Sequence, residues 1–199
     1  MKSLPIYAIS VLIATLLIAV MPTDAEAQIY KDTIRLHILA NSDSDEDQAL
    51  KIEIRDRLLD KYGRMLSSTE SVSHAKKTVE DLISSIENDA SEWIKELGYD
   101  YTVRTTLTEE WYDTREYDGF TLPAGYYTSL RVIIGDGGGK NWWCVMYPPL
   151  CTEIATERAP KDDYVIDYSK EEIHLITGGR YKIKFKILED LSRVFSKNG

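Results

Sequence analysis

The sequence predicts an α+β fold in which a small, largely antiparallel sheet packs with two or three amphipathic helices. Three observations lead there. Short stretches with apolar residues at every second position surround longer stretches with apolar residues at helical spacing. Glycine and proline clusters, such as Leu122-Pro123-Ala124-Gly125 and Gly135 through Gly139, separate the strand-like stretches. Capping residues and glycines also mark where the helical stretches begin and end.

Taken in order, Ile34, Leu36 and Ile38 alternate with polar or basic neighbours over Thr33 to Leu39, the pattern of a half-buried strand. Asn41-Ser42-Asp43-Ser44 then offers helix caps with acidic residues just inside, where they favour the positive end of the helix dipole. Leu50, Ile54, Leu58 and Tyr62 recur every fourth position, which predicts an amphipathic helix ending near Gly63. A long helix runs from Val72 to Gly98, carried by Ala75, Val79, Leu82, Ile83, Ile86, Ala90, Trp93, Ile94 and Leu97. Alternation returns at Val103, Thr105 and Leu107 and from Thr128 to Ile134, and Trp142 to Tyr147 is a short apolar run. The glycine segment before Trp142 reads as the turn of an antiparallel hairpin. Residues 152 to 178 are weakly patterned and read as a connection carrying one short element. Ile183, Ile187, Leu191 and Val194 suggest a last helix.

The first 27 residues have the three parts of an export signal: Lys2, an apolar run from Leu4 to Met21, and the small residues of Ala25-Glu26-Ala27. The run nearly reaches the roughly 20 residues of a spanning helix, so an uncleaved anchor is the rival reading. Cleavage before Gln28 is expected, giving a single mature domain over residues 28–199 that meets the membrane only through the signal. The whole chain carries 24 basic and 33 acidic residues, a net charge of −9. Losing Lys2, Asp24 and Glu26 with the signal leaves 23 basic and 31 acidic residues and a net charge of −8. That balance argues against nucleic acid as partner, because phosphate binding depends on clustered lysine and arginine.

Tests for catalytic chemistry return little. The glycine segment fails as a nucleotide loop, since Lys140 is followed by Asn141 and an apolar strand rather than by Ser or Thr and a helix. Asp43, Asp45 and Asp47 resemble the opening of a calcium loop, but Gln48 stands where glycine is needed and Ile54 where glutamate is needed. Helix capping accounts for them better. His37, His74 and His174 have no metal-ligand spacing and read as structural or surface residues, and no serine occupies a nucleophile elbow. No catalytic residue, metal or cofactor is assigned.

The most distinctive stretch is Asn141 to Cys151, which holds Trp142, Trp143, Pro148, Pro149 and the only cysteines, Cys144 and Cys151. Neighbouring residues on a strand point to opposite faces, so one tryptophan is expected in the core and the other at the surface as a contact. The bland reading is that Trp142 or Trp143 fills the core while the prolines shape a loop. In the exported part the cysteines can close a small loop as a disulfide, the prolines bending the chain back, or remain two buried thiols.

At these residues the chain resembles the stage II sporulation protein R signalling proteins of endospore-forming bacteria. The resemblance rests on Ile34-Arg35-Leu36-His37-Ile38-Leu39-Ala40-Asn41-Ser42-Asp43, on Asp47-Gln48-Ala49-Leu50-Lys51 with Arg55-Asp56, and on Leu122-Pro123-Ala124-Gly125 through Leu130-Arg131-Val132-Ile133-Ile134-Gly135. The Asn-Trp-Trp-Cys to Pro-Pro-Leu-Cys block completes it. The long helix and everything after Cys151 match only in general character.

The resemblance implies a protein secreted from the forespore into the space between the two membranes. There it would activate a membrane-embedded aspartic protease of the stage II sporulation protein GA type, which processes a sigma-factor precursor in the mother cell. It implies a ligand rather than an enzyme. By motif match the partner-binding candidates are Asn41, Ser42, Asp43, Arg55, Trp142, Trp143, Pro148 and Pro149. An exported hydrolase or a binding module acting on cell-envelope material is the alternative.

Overall fold

Along Ile34–Leu39, strand β1, apolar residues alternate with Arg35 and His37, yet all six residues are buried. A half-buried strand was expected. The computed structural model, which describes residues 23–117, 120–148 and 168–177 and a few between 7 and 15, shows why. β1 lies inside a four-stranded sheet with other elements packed on both faces.

After β1, Ser44 caps helix α2, Asp45–Leu58, by accepting a hydrogen bond from the Asp47 backbone amide. The chain continues through a wide turn, Leu59–Gly63, and a short helix α3, Arg64–Ser67, past the end expected near Gly63. Helix α4, Val72–Glu96, starts at the cap Ser71 and stops before Gly98, whose φ of 86° is the left-handed conformation glycine adopts without penalty. Both helices present apolar faces to one side of the sheet. There Leu50, Ile54, Leu58, Val79, Ile86, Ala90 and Ile94 meet Ile34, Leu36, Ile38, Leu130, Val132 and Cys144 in the main core. The ion pairs of Arg57 with Glu96 and of Lys61 with Asp89 fasten α2 and the wide turn to α4, and Arg57 also pairs with Glu53 within α2.

Strand β2, Val103–Tyr112, is followed by a small hairpin, β3 (Arg115–Tyr117) with β4 (Phe120–Leu122). Next come β5, Gly125–Ile134, and β6, Asn141–Tyr147. The order β2-β5-β1-β6 corrects the hairpin expected between β5 and β6, because β1 lies between them. It is parallel to β5 and antiparallel to β6, while β2 and β5 are antiparallel. The glycine segment therefore arches over the end of β1. The amides of Gly138 and Gly139 donate to the Asn41 and Ala40 carbonyls at 3.1 and 3.0 Å. A Cβ on Gly139 would stand 2.1 Å from the Ser42 carbonyl oxygen, so this crossing needs a residue without a side chain.

The other sheet face carries a second core of Ile29, Tyr112, Phe120, Leu122, Tyr127, Val145, Tyr168, Leu175 and Ile176. Helix α1, Asp24–Lys31, and helix α5, Lys170–Thr177, help cover it, α5 being the short element expected between residues 152 and 178. Thr23 and Glu26 form a capping box at the start of α1, Glu26 and Ile29 are buried, and the Tyr30 hydroxyl donates to the Ala124 carbonyl. The expected cleavage point before Gln28 falls inside this helix. No helix among the described residues is long and apolar enough to cross a membrane. The helix expected around Ile183 to Val194 lies outside the described residues.

Candidate functional site

The motif residues gather at the end of the sheet where β1 leaves it. Asp47, 4% exposed, accepts hydrogen bonds from Asn41 Nδ2 at 2.9 Å and Ser42 Oγ at 2.6 Å. Burial pushes its carboxyl up, but the hydrogen bonds from Ser42 and Asn41 outweigh burial and leave it below the ordinary aspartate value. Asn41 Oδ1 accepts from the Asp136 amide at 3.0 Å, and Asp43 Oδ1 from the Lys140 amide at 2.6 Å. Buried Lys51 donates to the Lys140 carbonyl at 2.8 Å and to Gln48. These side chains join the β1–α2 turn to the glycine arch. Asp43, Asp45 and Asp47 therefore act apart: Asp43 holds the arch, Asp45 begins α2, and Asp47 anchors the turn.

Beside this lock the Arg55 guanidinium lies 4.9 Å from the centre of the Trp142 ring, a cation–π contact joining α2 to β6. Trp142 is half-buried against the main core, and Trp143 is half-buried against the second. The two point to opposite faces as expected, but neither is wholly in or out, because both faces are partly covered. Asn41, Ser42, Asp43, Arg55 and Trp142 thus form one group, with Trp143 behind the sheet. Pro148 is buried and follows Tyr147 through a cis peptide bond. Pro149 and Cys151 lie outside the described residues, so the pairing of buried Cys144 falls there too.

Behind the sheet lies a cluster that the residue pattern did not single out. Arg35 is fully buried and surrounded by Tyr112, Tyr127 and Tyr117, with ring centres 4.2, 5.1 and 5.8 Å from its guanidinium carbon. Its Nε donates to the Cys144 carbonyl at 3.1 Å and its Nη2 to the Tyr117 hydroxyl at 2.7 Å, but buried Nη1 has no hydrogen-bond partner. No carboxylate pairs with it among the described residues. Two residues along β1, His37 Nδ1 lies 3.0 Å from Glu110 Oε2, and the His37 ring stacks on Trp143 with centres 5.6 Å apart. The Arg115 guanidinium lies 4.1 Å from the Trp143 ring centre. Arg131 approaches Glu110 at 3.5 Å. Burial raises the Glu110 carboxyl, but hydrogen bonds from His37 and Ser129 and the nearby positive charges bring it below its ordinary value.

Arg115 Nε is, like Arg35 Nη1, a buried donor without a hydrogen-bond partner; Arg131 Nε has only its 3.5 Å approach to Glu110, and His37 Nε2 is unmatched too, an acceptor when Nδ1 carries the ring proton. A buried donor left unmatched costs about 1–3 kcal/mol, more when charged. Arg35 and His37 fit the polar half of an alternating strand, so the pattern placed them toward solvent. Only the β2 and β6 pairings and the β3–β4 hairpin reveal their surroundings.

A family model described as Stage II sporulation protein R (spore_II_R) matches residues 30–157. The chain belongs to the stage II sporulation protein R family. The match takes in both groups of residues, from Arg35 to Trp143. The chain is also 31% identical over 160 residues to Stage II sporulation protein R of Bacillus subtilis (strain 168). That alignment covers 80% of this chain and 66% of the relative, so the chain spans just under two thirds of the relative's length. No solved structure matches. Membership in this family gives the chain a sporulation role.

Proposed function

We propose that this protein is an exported, non-enzymatic signal of sporulation. It passes from the forespore into the intermembrane space, where it activates a membrane-embedded aspartic protease of the stage II sporulation protein GA type. The protease then processes a sigma-factor precursor in the mother cell. The observation that carries this reading is the family match over residues 30–157. The apolar run and small residues at the N-terminus suit export, and a Cys144–Cys151 disulfide, part of the proposal, suits an oxidising space.

Activation follows from binding if the domain has higher affinity for the active arrangement of the protease than for the inactive one. The Arg55–Trp142 pair and the locked turn at Asn41 to Asp43 give one end of the sheet a rigid shape, which lowers the ordering cost of association. Co-expressing the exported chain with the protease and its precursor in a non-sporulating host tests the activity directly. The expected result is precursor cleavage that requires export, and that falls at least tenfold for a folded Trp142→Ala or Trp143→Ala variant. Absence of cleavage with a folded, exported chain and a competent protease would overturn the activator reading.

A further inference from the structure

We propose that Arg35, His37, Arg115 and Arg131, which share the second sheet face with Trp143, form a receptor for a carboxylate side chain of a protein partner. The proposal rests on the activator reading for the partner's identity as a protein, and on the cluster alone for the chemistry. Among the described residues one acidic group, Glu110, meets His37 and Arg131, while Arg35 and Arg115 pair with no carboxylate, inside a chain whose net charge is −9. Arg35 and His37 are more than nine-tenths buried. Each of the four has a buried nitrogen without a hydrogen-bond partner, that of Arg131 being the Nε that approaches Glu110 at 3.5 Å.

Guanidinium groups stay protonated, so the unmatched nitrogens of Arg35, Arg115 and Arg131 are standing donors that an anion can satisfy. Tyr112, Tyr117 and Tyr127 stabilise the Arg35 charge from their ring faces while leaving Nη1 unused. Arg131, its side chain 37% exposed, and half-buried Arg115 and Trp143 form the rim. Arg115 lies against the indole and Tyr117 takes a hydrogen bond from Arg35, so rim and interior are joined through β3.

Glu110 decides between anions. It already balances His37 and Arg131, and its negative charge repels a phosphate dianion more strongly than a carboxylate monoanion. A planar carboxylate also fits the fork of a guanidinium held against an aromatic ring. The negative chain repels an acidic partner at long range, so attraction arises only once an acidic residue reaches this face.

The test titrates the full chain, in micelles of a neutral detergent, with acetyl-Glu-Glu-Glu-amide, its all-Gln counterpart and inorganic phosphate. The readout is the NMR resonances of the arginine Nε–H groups, the His37 ring and the Trp143 indole. The Glu peptide is expected to shift Arg35, Arg115, Arg131 and Trp143 along one saturating curve that moves to higher concentration with added salt. The Gln peptide should leave them in place. Arg115→Gln or Arg131→Gln, each near the rim, should weaken binding at least tenfold while the amide spectrum of the main core is retained. No saturable shift, equal shifts from the Gln peptide, binding of phosphate alone, or full binding by both variants would each overturn the site. Because the titration contains no protease, its failure is separate from failure of the activator reading. A variant that loses the peptide yet still triggers precursor cleavage would remove the site from signalling and leave that reading in place.

Discussion

Asp47 shows how much a single residue can hold at this end of the sheet. Its carboxylate takes hydrogen bonds from Asn41 and Ser42, and its amide is tied to the Ser44 cap. Because its folded-state pKa lies below the ordinary value, its ionised form stabilises the fold above the pKa of the unfolded chain. That contribution is lost as pH falls through the lower, folded-state value. Asp47→Asn should cost about 1–3 kcal/mol near neutral pH. The variant should also lose less stability than the wild type between about pH 5 and pH 2. Urea unfolding at a series of pH values measures both, and parallel pH profiles would show that Asp47 does not carry this linkage. The sequence marks Asn41 through Asp47 as a capping region, which is right for Ser44. It cannot show that Asn41 and Asp43 reach the glycine arch, since Asp136 and Lys140 are more than 90 positions away.

At the scale of elements, the long helix and the strands at Ile34, Val103, Thr128 and Trp142 are legible because each carries an unbroken apolar period. Pairing is less so. Gly135 to Gly139 between two apolar strands has the local appearance of a hairpin turn, and only the insertion of β1 makes it an arch. The basic cluster is hidden for a related reason: Arg35 and His37 look solvent-facing until the second layer covers them. Helix α1 is hidden because its residues also satisfy an export signal, although Thr23 and Glu26 have the spacing of a capping box. Removing residues before Gln28 deletes that box together with Ala25 and buried Glu26, which lie on the side that helps close the second core. A chain beginning at Thr23 should therefore melt at a higher temperature than one beginning at Gln28. Thr23→Ala in the longer chain should cost about 1 kcal/mol. Calorimetry of the three proteins checks this, and identical melting temperatures would show that α1 adds nothing to the fold.

Among the described residues the two layers are built unequally. The main core is closed by α2 and the 25-residue helix α4, packed on all four strands of the sheet, with Val103 of β2 beneath α4. The described elements over the second face are short pieces distant in sequence: α1 and α5 of eight residues each, and a hairpin with three-residue strands. Short elements with few internal hydrogen bonds open locally at lower free energy than the centre of a sheet. Amides of Leu36 and Ile38, in a strand bonded on both sides and buried on both faces, should exchange hydrogen only through global unfolding. Amides of β3, β4 and α5 should exchange through openings at least about 2 kcal/mol less costly. Native-state hydrogen exchange as a function of denaturant separates the two classes. Equal protection would mean that the layers unfold as one unit. A gap between them would mean that the cover over Arg35 and His37 can open while the sheet stays intact, which is the freedom a partner's side chain needs to reach those donors.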